Sequence, residues 1–146
     1  MLGAWSLVRF VHVMGAVIWV GGQLTISVFM LPAVRRRLEA SQQAVLMRDI
    51  GVAFGKWTIA FFIPLQILSG ALLAWHNGVT FGSLLEPGYG RTLFAKLLTF
   101  ALVMLATGGH GWANATGRRT LARSLAIASL MGSIGIVLLA TALATD

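Results

Sequence analysis

Four apolar stretches, each long enough to cross a bilayer, are packed into a chain of 146 residues. A crossing needs about 20 residues at 1.5 Å of rise each, and hydrocarbon forces every backbone N–H and C=O to pair within the segment. Hydrophobic residues make up 58% of the chain and charged ones only 10%, against roughly 25% charged in a soluble domain. A body this small has too much surface to hide so much apolar side chain from water. The sequence therefore predicts an all-α, integral membrane four-helix bundle, one domain over 1–146. Its spans are expected at about 5–31, 57–77, 91–114 and 124–145, with a short amphipathic surface helix at about 37–54.

The first span, apolar from Phe10 to Leu31 apart from His12, Gln23, Thr25 and Ser27, lacks the basic start and small-residue cleavage site of a signal peptide and is expected to be retained. Between spans one and two, Leu38, Val45, Leu46, Ile50, Ala53, Phe54 and Trp57 recur at helical spacing opposite Glu39, Gln42, Gln43 and Arg48. That pattern suits a helix on the membrane surface that feeds into span two, or an ordinary connecting helix. Glu86-Pro87-Gly88-Tyr89-Gly90 is turn chemistry. The chain has no cysteine, so disulfides, thiolate zinc and iron–sulfur clusters are excluded.

A net charge of +7 invites a nucleic-acid reading, but the cations are placed as topology signals. Arg35, Arg36, Arg37, Arg48 and Lys56 lie between spans one and two; Arg118, Arg119 and Arg123 lie between three and four. By the positive-inside rule both termini face away from the cytoplasm, as expected of a multi-pass protein of a bacterial-type inner membrane. Trp5 and Trp75 fall at the outer boundary, Trp57 and Trp112 at the inner one.

Ionisable groups inside spans are costly and mark function. His12 is expected roughly 10 Å below the outer boundary, Lys96 roughly 8 Å below it, and His76 is shallower. Side chains lean toward the N-terminus of their helix, so His12 leans outward and His76, on an antiparallel helix, leans inward. Two imidazoles at one level are what a b-type haem requires. His12 and His76 are thus the expected axial pair, with His110 a third candidate nearer the inner face. Arg9 and Lys96 would pair with propionates. Gly15 and Trp19 count among the cofactor-lining positions, the glycine by removing side-chain volume; Trp19, one heptad below His12, also reads as core. Plainer readings exist: His76 as an interfacial residue, His110 as a headgroup contact or helix-end feature, and Arg9 and Lys96 as snorkelling cations.

The stretch Val8-Arg9-Phe10-Val11-His12-Val13-Met14-Gly15-Ala16-Val17-Ile18-Trp19-Val20-Gly21-Gly22, followed by Leu31-Pro32-Ala33-Val34-Arg35-Arg36, resembles the first helix of CopD-like membrane proteins and of the related HemJ-type protoporphyrinogen oxidases. The HemJ resemblance implies that His12 ligates haem b and that Lys96, in Arg91-Thr92-Leu93-Phe94-Ala95-Lys96, is functionally important; His110 resembles a His near the far end of the same helix. The chain lacks the Tyr and His pattern that HemJ-type proteins show after their first helix. Taken together, the residues and the resemblance lead to a membrane b-type cytochrome, with one haem b or two, near the non-cytoplasmic face. Its partner would be a quinol or a small oxygen or nitrogen species. Copper handling is the alternative, although the six methionines form no clustered pair; protoporphyrinogen oxidation is a third reading. The small-residue face of span four is a candidate surface for self-association.

Overall fold

A computed structural model describes residues 3–143. Its four long helices are α1 (Ala4–Arg37), α2 (Ala40–His76), α3 (Tyr89–Ala115) and α4 (Arg119–Leu143). All four are long and apolar enough to cross a membrane. Large apolar side chains such as Phe10, Phe29, Phe61, Leu105 and Leu138 stand exposed, which suits a surface solvated by acyl chains and would be untenable in water. The chain divides into two compact units, the first ending at Gly78 and the second beginning at Val79.

In the first unit, α1 and α2 run 34 and 37 residues, or about 50 and 55 Å, well beyond a hydrocarbon core of about 30 Å. Each carries one π-helical turn, at Thr25–Met30 and Thr58–Phe62, and each turn ends two residues before a proline, Pro32 or Pro64. Proline offers no N–H and its ring crowds the carbonyl four residues earlier; a widened turn accommodates both defects without breaking the helix. The amphipathic stretch is helical over Ala40–Trp57, opened by a Glu39/Gln42 capping box. It joins the second span through the π turn with no loop, so nothing lets it turn aside from the axis of that span.

Ring and hydrogen-bond contacts pair Trp5 with His76, His12 with Ser69 and Trp19 with Phe62. Each pair lies seven residues further along α1 and seven back along α2, the heptad register of an antiparallel helix pair. At its centre Trp19 is 1% exposed, stacked on Phe62 at 4.7 Å and flanked by Phe54 at 6.5 Å. Its indole N–H donates to Thr58 Oγ1 at 3.0 Å, and the Thr58 hydroxyl donates to the Phe54 carbonyl at 2.8 Å. Gly22 makes way for the Phe54 ring, which a Cβ there would meet at 2.8 Å.

The second unit is the α3/α4 hairpin. Its turn closes on Gly117 at φ 73°, with Gly117 N–H bonded to the Asn114 carbonyl and Arg118 N–H to that of Ala113, the two bonds of a Schellman cap. The hairpin is packed through small residues: Gly132 receives Val103, and Ser129 and Ser133 are buried. Thr107 donates to the Val103 carbonyl and therefore accepts from Ser129, 2.7 Å away. The Gly132 face of span four is thus already engaged within the chain.

Thr58→Val leaves the Trp19 N–H without its acceptor and is expected to cost about 1 kcal/mol. Trp19→Ala opens a cavity and is expected to cost about 3–5 kcal/mol. Detergent-titrated unfolding followed by tryptophan fluorescence or circular dichroism measures both.

Candidate functional site

The polar groups of the first unit gather on one face where α1 meets α2. Ser69 bonds back to the Leu65 carbonyl one turn earlier, which uses its only proton. Its oxygen can then only accept from His12, whose Nδ1 lies 2.7 Å away. His12 therefore donates from Nδ1, which in the neutral ring puts the lone pair on Nε2. Gly70 underlies the imidazole: a Cβ there would come within 3.2 Å of His12 Cε1. Gln66 donates from Nε2 to the His12 carbonyl at 2.8 Å. Gln66, Ser69 and Gly70 thus hold one half-buried histidine by its ring nitrogen, ring edge and backbone.

Within this hairpin His12 and His76 have different partners across the helix pair. His76 is exposed and stacks on Trp5, ring centroids 4.0 Å apart at 12°. Trp5 is seven residues before His12, so the two imidazoles sit about 10 Å apart along the helix pair. Side-chain lean moves each ring by about one residue, too little to close a heptad. Gly15 and Trp19 both pack within the hairpin. The space that Gly15 leaves is taken by Gln66, 2.5 Å from where a Cβ would stand, and by Leu65, while Trp19 is the aromatic core of the hairpin.

Arg9 is exposed one turn before His12 and lines a groove of about 400 Å³ with Trp5, Ser6, Phe10, Val13, Leu73 and His76. Lys96 belongs to α3 in the second unit and is half-buried. His110 has a structural setting of its own. Its Nδ1 lies 2.8 Å from the Ala122 carbonyl, which can only accept, and its Nε2 lies 3.2 Å from Asn114 Nδ2. The Nδ1 contact ties α3 to α4, and the Nε2 contact lies within α3, one turn along the same helix. Ser69 and Gln66 are the positions around His12 that sequence reasoning missed. Their signal was the heptad register, which sets 69 opposite 12 and 66 opposite 15.

No group of three His, Asp or Glu side chains that could hold a metal ion occurs among the described residues. A single oriented imidazole suits a macrocycle that brings four equatorial nitrogens of its own better than a bare cation that needs several protein ligands.

His110→Ala removes the tie between α3 and α4 and is expected to cost about 1 kcal/mol. Asn114→Ala, which spares the Nδ1 bond, should cost less. The same unfolding titration compares them.

No curated protein matches this chain, and no solved structure does. A family model matches residues 6–84, more than half of the chain, including His12, Ser69 and His76 and ending before α3. The chain belongs to the family described as "Predicted integral membrane protein (DUF2269)", and its four apolar helices make it a multi-pass member.

Proposed function

We propose that this protein is a b-type haem protein of a bacterial-type inner membrane, with His12 as the single protein ligand to iron. In this reading both termini face away from the cytoplasm and the chain is related to the CopD-like and HemJ-type proteins. The observation that carries it is the His12–Ser69 bond. It holds the imidazole by Nδ1 against rotation, the second-sphere arrangement by which proteins orient a histidine for a metal. Gly70 keeps the ring seated, and Gln66 pins the backbone that carries it. Bound haem would supply one-electron iron chemistry and ligand exchange at iron. One axial histidine favours capture of a small oxygen or nitrogen species over a bis-histidine electron relay, with a membrane quinol as the electron donor.

An optical spectrum tests this reading. Protein purified in mild detergent from haem-supplemented cells should show a Soret band that His12→Ala abolishes and that His76→Ala and His110→Ala preserve. Ser69→Ala should retain haem at lower occupancy, because the ring loses its anchor. No Soret band in the wild type, or one unchanged by His12→Ala, would overturn the assignment. Stoichiometric copper without iron would replace it with copper handling.

A further inference from the structure

The groove beside Arg9 has a chemistry that haem ligation does not use. Phe10, Val13 and Leu73 give it apolar walls, Trp5 contributes an amphipathic ring of the kind that settles at headgroup level, and Ser6, Arg9 and His76 supply donors. The guanidinium stays protonated in proteins. The first unit contains two carboxylates, Glu39 and Asp49, and both lie toward its opposite end. Glu39 follows α1 and is 30 residues from Arg9; Asp49 is 27 residues before His76 on α2. At 1.5 Å per residue each is about 40 Å or more from the groove along the helices. A permanent cation beside an apolar slot, with no counter-charge from its own hairpin, is complementary to an amphiphile whose head is an anion.

We propose that this groove binds the phosphate of an anionic membrane lipid. Arg9 is the charge partner, Ser6 and His76 are further hydrogen-bond donors, and the first part of an acyl chain lies along Phe10, Val13 and Leu73. Stacking on Trp5 holds the His76 ring at the groove. The proposal is independent of the haem assignment, since His12 does not line the groove.

Native mass spectrometry of the delipidated protein in neutral detergent, titrated with phosphatidylglycerol or phosphatidylcholine, provides the test. One well-placed arginine predicts a preference for phosphatidylglycerol of about fivefold. Arg9→Gln should remove that preference and Arg9→Lys should keep most of it. The triple variant Arg35→Gln, Arg36→Gln, Arg37→Gln, which alters cations at the far end of the hairpin, should leave it unchanged. Equal binding of the two lipids, or loss of the preference only in the triple variant, overturns the proposal. Complete displacement by millimolar inorganic phosphate also overturns it, because the site would then read a free anion and not a lipid. If Arg9→Gln instead lowers haem content and spares the lipid preference, the cation serves a propionate and the lipid assignment fails while His12 ligation stands.

Discussion

The stack of Trp19 on Phe62 sets the register on which the first hairpin depends. Apolar side chains gain nothing from leaving lipid for one another, so membrane helices are held in register by shape and by the few polar groups that must find partners. Trp19 satisfies both requirements. Its ring is enclosed by Phe54 and Phe62, and its N–H requires the Thr58 hydroxyl. Once residue 19 is opposite residue 62, the heptad step puts His12 opposite Ser69 and Trp5 opposite His76. A shift of one residue would take the indole N–H from the Thr58 hydroxyl and the imidazole from Ser69, a penalty that apolar packing alone does not impose.

Glycine and serine do in these hairpins what large apolar residues do in soluble cores. Gly15, Gly22 and Gly70 each receive a side chain from the facing helix, and Gly132 receives Val103. The hydroxyls of Thr58, Ser69, Thr107 and Ser133 each donate to a carbonyl one turn earlier on the same helix. That back-bonding keeps the hydroxyl satisfied in lipid and turns its oxygen into a pure acceptor for the neighbouring helix. At Ser69 the consequence is chemical, because an acceptor beside Nδ1 makes that nitrogen of His12 the donor.

The helical class, the four apolar crossings and the segregation of cations follow from composition and spacing, since hydrocarbon admits so few backbone solutions. His12 could be singled out because a histidine so deep in a span is costly. Its relation to His76 was not legible: depth estimated from span boundaries carries an error of several residues, and two imidazoles a heptad apart fall inside that error. Gln66 looked like a tolerated interruption and Ser69 like a neutral small residue, because neither is informative until the residue across the helix pair is known. His110 could be read as a ligand or a helix-end feature from its neighbours, and its contact with the carbonyl of Ala122 on α4 was not legible from within one helix.

Sequence by itself determined that this chain lives in lipid as long helices, and which few polar groups it carries there, because the solvent imposes those terms on any chain of this composition. The tertiary structure decided which of them meet. It joined the amphipathic segment to the second span as one helix through the Thr58–Phe62 π turn, enclosed Trp19 as core and set His76 on Trp5. It also held His12 by its Nδ1 through Ser69. Pairing across a helix interface depends on register, and register comes from the contacts of particular side chains, which no periodicity within one helix contains.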